Sequence, residues 1–132
     1  MENRFPVDVY YEDTDFSGLV YHANYLKYFE RAREHLLGRD RLVHLFKNEG
    51  LGFVVYKIEL EFKEGAVFGD TLEIRTSVTL PSEFRAVFHQ EVWRPAGKAP
   101  AVKGDLQLVC IHNAERRIVR LPQYVIDAVR SK

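Results

Sequence analysis

The 132-residue chain lacks the features that mark several classes of protein. It holds a single cysteine, Cys110, so it cannot form an intrachain disulfide. Its 19 basic and 19 acidic residues cancel to a formal net charge of zero, without the basic excess by which nucleic-acid-binding proteins neutralise phosphates. No apolar run approaches the roughly 20 residues of a membrane-spanning helix, and the first residues are polar, unlike a signal segment. We therefore expect a cytoplasmic protein that neither binds nucleic acid nor spans a membrane.

Nothing in the sequence divides the chain into parts. It contains no repeat, no low-complexity tract and no linker rich in Pro, Gly or Ser. Hydrophobic residues make up 46% and charged residues 29% of the chain, which is typical of a soluble globular protein. A chain of this length can bury enough surface for one core. We therefore predict a single domain over residues 1–132.

The hydrophobic periodicity changes from two to about 3.6 and back along the chain. Residues 7–13 alternate apolar and polar side chains, which predicts a strand, and turn-forming residues follow at 13–18. A pattern of i, i+3, i+4, i+7 and i+11 then predicts a helix over residues 24–37, with Gly38 at its C-terminus and Arg33 on its polar side. A shorter helix is predicted over residues 40–49. The predicted apolar face of the longer helix consists of Tyr25, Tyr28, Phe29, Ala32 and Leu36.

Four further stretches alternate with a period of two, at residues 54–62, 72–80, 84–93 and 102–111, and predict consecutive strands. Pro122 precedes a short helix. Consecutive strands joined by short turns favour an antiparallel sheet, and a helix with one apolar face must pack on it. The predicted fold class is therefore α+β, with the sheet curling around the helix at 24–37. In the first of the four strands, one face is expected to carry Val54, Tyr56, Ile58, Leu60 and Phe62.

Acidic and turn-forming residues at 13–18 lie between the first strand and the long helix. The backbone N–H groups at a helix N-terminus carry partial positive charge and can stabilise an oxyanion. A carboxylate beside them, such as that of Asp15, can act as a nucleophile or as a general base toward water. Asp and Ser before a helix are, however, more often caps and turn formers. The local pattern alone leaves both interpretations open.

The same segment partly matches a calcium-binding loop. Asp13, Asp15, Ser17 and Gly18 agree with the first half of an EF-hand loop. At the twelfth position, however, Asn24 stands where that loop needs a bidentate Glu. A strand rather than a helix also leads into the segment. We therefore reject calcium binding at this site.

Other potential nucleophiles and ligands lack a matching context. Ser17, His22 and Asp15 supply the residue types of a catalytic Ser-His-Asp triad, but no Gly-x-Ser-x-Gly elbow surrounds Ser17. Cys110 lies among apolar residues of a predicted strand, which favours a buried structural thiol over a nucleophile. His89 and the other scattered histidines show no metal-ligand spacing. No metal site is therefore predicted.

Three runs between residues 9 and 33 form a longer pattern: VYYEDTD at 9–15, GLVYHANYL at 18–26 and YFERAR at 28–33. Together they resemble the signature of hotdog-fold thioesterases, and most closely the YbgC-like branch of the 4-hydroxybenzoyl-CoA thioesterase group. The predicted order of strands agrees with that fold over nearly the whole chain. The resemblance implies a hotdog fold, in which an antiparallel sheet of about five strands wraps around a central helix.

The resemblance also implies roles for individual residues. Asp15, the second aspartate of the EDTD run, matches the catalytic aspartate of the family. The backbone N–H of His22 matches the group that polarises the thioester carbonyl. Gly18 matches a tight turn where the ligand approaches the backbone. Tyr25 and Glu30 match positions where the family keeps a Tyr and often a Glu, and Tyr25 is a candidate substrate-binding residue.

Ser82 and Arg85 are further candidates for substrate binding, because relatives contact the phosphates of CoA near the start of the corresponding strand. The charge of Arg85 is equally compatible with a solvated face. Two departures from the family pattern lie beside the aspartate: Leu19 replaces a more usual Ile or Val, and Phe16-Ser17 replaces a pair of smaller residues. Neither removes a reacting group, and Phe16 is placed to narrow or reshape the acyl pocket.

The activity implied by the resemblance is hydrolysis of an acyl-CoA thioester to free acid and CoA, with Asp15 attacking the carbonyl or activating water. No metal or redox cofactor is implied, because CoA is part of the substrate. A homo-oligomer is also implied, in which two chains pair edge to edge with active sites at their interface and dimers join into tetramers. The alternatives are a non-hydrolytic binder of acyl-CoA or acyl-carrier protein and a hotdog dehydratase. The sequence leaves the identity of the acyl group open.

Overall fold

A computed structural model describes residues 2–130 of the chain. Its helices are α1 (Asn24–Leu37), α2 (Arg39–His44) and α3 (Gln123–Arg130), with a 3-10 turn at Tyr11–Asp13 and a π-helical segment at Leu45–Glu49. Its strands are β1 (Asn3–Asp8), β2 (Leu51–Phe62), β3 (Thr71–Ser82), β4 (Arg85–Trp93), β5 (Val102–His112) and β6 (Arg117–Val119). They form an antiparallel six-stranded sheet in the order β1-β3-β4-β5-β2, with β6 paired to β5. Strands β1 and β2 therefore lie at the two ends of the main order.

Helix α1 has the predicted range and packs its apolar face on the sheet. Phe29 and Ala32 are fully buried, and Leu36 packs against the same core. Gly38 follows the helix with φ of 92°, a value that favours glycine, and its N–H donates to the carbonyl oxygen of Glu34. The main core thus lies between α1 and the sheet, as predicted.

The predicted placement of Arg33 on the polar side of α1 is wrong, since this residue is only 7% exposed. Its Nη1 donates to Oε1 of Gln90 at 3.0 Å. Nε2 of Gln90 in turn donates to the carbonyl oxygen of Phe29 and to the hydroxyl of Thr76, both at 3.0 Å. Desolvation lowers the pKa of Arg33. The long side chain reaches a buried acceptor on β4, so its helical position alone did not reveal its burial.

The first strand differs from the prediction at both ends. β1 ends at Asp8, whereas the alternating pattern predicted a strand over residues 7–13. Val9 is buried as expected, but Tyr11 is 78% exposed and begins the 3-10 turn. The carboxylate of Asp13 accepts a hydrogen bond from the backbone N–H of Tyr10 at 2.9 Å. This side-chain acceptor competes with a sheet ladder and turns the chain toward α1.

The predicted single apolar face of β2 is also wrong. A register shift against β5 leaves Tyr56 as a bulge, so the alternation of side chains changes phase there. Val54 lies on the outer face, defined as the sheet face turned away from α1, whereas Ile58, Leu60 and Phe62 lie on the α1 side. Ile58 is 41% and Phe62 50% exposed, although the ring of Phe62 lies 5.9 Å from that of Tyr25 on α1.

The remaining strands begin and end within one or two residues of their predicted positions. β3, β4 and β5 carry strictly alternating buried residues over most of their length, which the period-two pattern predicted. β6 was missed because three residues give too short a pattern. Pro122 directly precedes α3, as predicted. In the described part of the chain, no helix has both the length and the apolar character needed to cross a membrane.

Candidate active site

Residues 14–20 form a small hairpin that projects between β1 and α1. Thr14 bridges Val20, the N–H of Asp15 donates to the carbonyl oxygen of Leu19 at 2.9 Å, and the N–H of Gly18 donates to the carbonyl oxygen of Asp15 at 3.0 Å. Gly18 has φ of 84°, a conformation that side-chain-bearing residues rarely adopt. The predicted turn is therefore present, and Asp15 begins it.

Two carboxylates of the turn, two residues apart, have different environments. Oδ2 of Asp13 accepts hydrogen bonds from the hydroxyl of Tyr28 at 2.8 Å and from the backbone N–H of Tyr10 at 2.9 Å. The Tyr28 side chain is buried, and burial together with the Asp13 carboxylate raises its pKa, so the phenol stays a donor. Asp13 therefore acts as a structural acceptor that ties the turn to α1.

Asp15 is exposed, and its carboxylate is engaged on one side only. Oδ1 accepts hydrogen bonds from the hydroxyl of Ser17 at 2.5 Å and from the backbone N–H of Ser17 at 2.8 Å. These two donors, with a smaller contribution from the charge of His22, lower the pKa of Asp15 below its usual range. Both donors bind Oδ1, and within residues 2–130 no donor forms a hydrogen bond with Oδ2. Asp15 thus holds an ionised carboxylate with one oxygen free.

The other predicted catalytic group lies just before α1. The N–H of Tyr21 and the side-chain amide of Asn24 both donate to the carbonyl oxygen of Asp13 at 2.9 Å, which fixes the helix start beside the turn. The backbone N–H of His22 has no acceptor among the described residues. The imidazole is exposed and lies 4.5 Å from the Tyr21 ring, between ring centroids. The structure therefore brings Asp15 and an unpaired N–H at the helix start into one region.

Tyr25 has a structural role. It is 2% exposed, and its hydroxyl accepts a hydrogen bond from the N–H of Ala66 at 3.1 Å. The carbonyl oxygen of Ala66 accepts in turn from the N–H of Val20 at 2.9 Å. Tyr25 thereby holds the loop after β2 against the hairpin of Asp15. A direct contact between Tyr25 and substrate stays a prediction.

A salt bridge that sequence reasoning missed supports the same loop. Nε of Arg94 donates to Oδ2 of Asp70 at 2.9 Å, and this oxygen also accepts from the N–H of Val67 at 3.1 Å. Val67 bridges Leu19, which lies in the hairpin that carries Asp15. No local pattern could have revealed this link, because Arg94 and Asp70 are 24 residues apart.

The predicted substrate-binding residues Ser82 and Arg85 lie far from Asp15 within one chain. They flank the β3–β4 hairpin, where the hydroxyl of Ser82 accepts a hydrogen bond from the N–H of Phe84. The Asp15 turn instead adjoins the other end of β3, where Thr71 pairs with Asp8. Twelve extended residues separate the two ends by roughly 35 Å. A single chain therefore does not bring these residues to Asp15.

The remaining reactive side chains lie elsewhere. Cys110 is fully buried, and burial raises the pKa of its thiol to about 11, which confirms the predicted structural thiol. Between residues 2 and 130, no three His, Cys, Asp or Glu side chains are grouped to hold a metal ion. On the outer face, His89 Nδ1 lies 2.7 Å from Oδ1 of Asp105, and His89 Nε2 lies 3.0 Å from Oγ1 of Thr79. We call these three residues the outer-face series.

The sequence matches characterised proteins over nearly its whole length. The model of the thioesterase-like superfamily matches residues 9–129. The acyl-CoA thioester hydrolase YbgC of Escherichia coli is 34% identical over 128 residues, which cover 93% of this chain and 92% of the relative. The acyl-CoA thioesterase YbgC of Haemophilus influenzae is 33% identical, with coverage of 92% and 89%.

Solved structures show the same architecture. A probable thioesterase from Bartonella henselae is 36% identical with a TM-score of 0.77, covering 92% of this chain and 98% of that one. A 1,4-dihydroxy-2-naphthoyl-CoA thioesterase from Synechocystis superposes with a TM-score of 0.89 over 98% and 96% of the two chains. At 23% identity, the second likeness concerns the fold alone.

A six-stranded antiparallel sheet wrapped around one long helix, with these structural neighbours, defines a hotdog-fold protein. The chain belongs to the thioesterase-like superfamily, in its YbgC-like branch. This result confirms the family, the fold and the thioester hydrolase class that the motif in residues 9–33 predicted.

Proposed function

We propose that the chain hydrolyses acyl-CoA thioesters and that Asp15 is the reacting carboxylate. The observation that supports this assignment is the pairing of a half-engaged, exposed carboxylate with the unpaired N–H of His22 at the start of α1. The YbgC relatives are named acyl-CoA thioester hydrolases, which supports the substrate class. The acyl group itself is left to experiment.

In the proposed reaction, the thioester carbonyl oxygen accepts a hydrogen bond from the N–H of His22, which stabilises the developing negative charge. By one route, the free oxygen of Asp15 attacks the carbonyl carbon, CoA leaves as its thiolate, and water hydrolyses the resulting mixed anhydride. By the other route, Asp15 accepts a proton from water as the water attacks the carbonyl carbon, and the C–S bond then breaks so that CoA leaves as its thiolate. Both routes give free acid and CoA. Neither uses a metal or redox cofactor.

We also propose that the active unit is a homo-oligomer in the cytoplasm. The outer edge of β2 is unpaired within residues 2–130, and Ile58 and Phe62 are exposed beside it. Pairing of two chains along this edge removes the exposed strand and covers both side chains. Ser82 and Arg85 can reach the CoA bound near Asp15 only from a second chain. Dimers are proposed to join further into tetramers.

The assignment is tested with Asp15→Asn, which keeps the size of the side chain and removes its charge. We expect a loss of at least ~10²-fold in the rate of thiol release from acyl-CoA, with an unchanged fold and oligomer. The matched control is Glu12→Gln, which removes the same charge from an exposed neighbour and is expected to keep its activity. A panel of short aliphatic, long aliphatic and aroyl thioesters identifies the preferred acyl group.

Two outcomes contradict the proposal. Near-normal hydrolysis by Asp15→Asn removes Asp15 from the chemistry. Tight binding of the thioesters by the unmodified protein without release of thiol, across the whole panel, instead favours a non-hydrolytic binder of acyl-CoA or acyl-carrier protein.

A further inference from the structure

We propose that Ser17 is a positioning residue that holds Oδ1 of Asp15, so that Oδ2 is the oxygen that reacts. The inference rests on the proposed function and deepens it, because it concerns how one side chain of this chain orients the carboxylate. Ser17 belongs to the pair that departs from the smaller residues of the family pattern. Its role therefore does not follow from the resemblance.

Ser17 connects the carboxylate to the backbone of the hairpin. The N–H of Leu19 donates to Oγ of Ser17 at 3.3 Å, and this hydroxyl donates to Oδ1 of Asp15 at 2.5 Å. The backbone N–H of Ser17 donates to the same oxygen at 2.8 Å. The N–H of Asp15 completes the ring of contacts by donating to the carbonyl oxygen of Leu19 at 2.9 Å. The carboxylate thus has two fixed donors on one oxygen.

The far side of this arrangement is held by contacts between Leu19 and the loop after β2. Leu19 bridges Val67, and its side chain packs so closely on Gly65 that a Cβ there would lie 2.7 Å from Cδ1 of Leu19. Val67 in turn is held by the carboxylate of Asp70. Through Ser17, Asp15 is therefore positioned relative to this loop. Because the Asp15 carboxylate is exposed, packing alone cannot hold it in one orientation.

The arrangement assigns the two carboxylate oxygens different roles. If Asp15 is a nucleophile, Oδ2 forms the bond to the acyl carbon, Oδ1 becomes the anhydride carbonyl oxygen, and the C–S electron pair leaves with CoA. If Asp15 is a general base, Oδ2 accepts the proton of the attacking water. In both routes the donors of Ser17 stay on Oδ1, so rotation of the carboxylate is restricted throughout.

The protonation of Asp15 gives a second signature of the contact. The Ser17 hydroxyl is the largest cause that lowers the pKa of Asp15, followed by the Ser17 N–H, and His22 is the titratable group that acts on it in the same direction. Removal of the hydroxyl therefore raises this pKa. Since the ionised form is the reactive one, activity is then lost at a higher pH as the solution is acidified.

The test compares Ser17→Ala with Ser17→Thr, which keeps the hydroxyl, in the full-length assembled protein. In Ser17→Ala we expect kcat to fall about three- to tenfold with KM within about twofold, because orientation rather than binding is affected. The ¹³C resonance of the Asp15 carboxyl is expected to titrate at higher pH than in the unmodified protein. Ser17→Thr is expected to restore both values. Ser17→Gly serves as a second hydroxyl-free variant if Ser17→Ala does not fold.

An unchanged kcat, an unchanged titration of Asp15, or a failure of Ser17→Thr to restore them overturns the inference. These results differ from a failure of the proposed function. If Asp15→Asn retains activity, the proposed role of Asp15 is wrong, whatever effect the Ser17 variants have. If Asp15→Asn is inactive and Ser17→Ala is normal, only the role of Ser17 is wrong.

Discussion

The turn at Asp15 and the outer-face series both present a hydrogen-bonded acidic side chain near a histidine, yet they differ in backbone chemistry. Thr79, His89 and Asp105 follow the order of a hydrolytic triad, with contacts of 3.0 and 2.7 Å. His89 and Asp105 lie on β4 and β5, which pair with a neighbouring strand on both sides. The backbone N–H groups of His89 and Asp105 are therefore used within the sheet, and neither residue offers one to stabilise an oxyanion.

At the turn the situation is reversed. The side chains of Asp15 and His22 form no triad, but the chain leaves the sheet there and the N–H of His22 has no acceptor within residues 2–130. The two regions therefore differ in their backbone as well as in their side chains, and the proposed active site is the one where an unpaired N–H accompanies the carboxylate.

Among variants that keep the Asp15 carboxylate, the largest effect is expected from breaking the backbone of the turn. Gly18→Ala places a side chain at φ of 84°, and Gly50→Ala does the same at 66°; neither new Cβ meets an atom within 4 Å. Both variants should therefore lose about 1 kcal/mol of stability from backbone strain alone. Only Gly18→Ala is expected to lower kcat, by about tenfold, since only that turn carries Asp15. Equal kcat values for the two variants, measured by thiol release, would contradict the comparison.

An intermediate effect is expected from Tyr28→Phe, which distinguishes the structural carboxylate of Asp13 from the carboxylate of Asp15 that is proposed to react. The variant removes the 2.8 Å hydrogen bond to Asp13 at the base of the turn. We expect the free energy of unfolding to fall by about 1–2 kcal/mol, because a partly buried bond to a carboxylate is lost. The rate should stay within about threefold. Chemical denaturation and thiol release measure the two quantities, and an unchanged stability would show that Asp13 does not secure the turn.

The smallest effect is expected from His89→Gln, which breaks the outer-face series at its centre. Exposed polar contacts of this kind contribute little, so stability should change by no more than about 0.5 kcal/mol. The rate of thioester hydrolysis should change by less than twofold, because the backbone N–H groups of His89 and Asp105 are used within the sheet. A loss comparable to that of Asp15→Asn would move the chemistry to the outer face.

The sequence predicted those features that depend on near neighbours along the chain. Helix α1 follows from a periodic pattern within 14 residues, and Asp15 and His22 are only seven positions apart. The burial of Arg33 could not be predicted, because its acceptor Gln90 is 57 residues away. The same limit applies to the link between Arg94 and Asp70. A local pattern predicts which face of an element is apolar, but it does not predict a polar partner that is distant in the sequence.

The bulge in β2 has a consequence for how this edge strand tolerates change. Every residue after Tyr56 is out of phase with those before it, so one strand supplies Val54 to one sheet face and Phe62 to the other. Because Val55 and Lys57 already pair with the consecutive residues Leu108 and Gln107, deletion of Tyr56 would remove the bulge and leave both halves of the strand on their present faces. The one extra residue thus lets a strand with an unbroken alternating pattern present the hydrophobic side chains of its two halves to different layers.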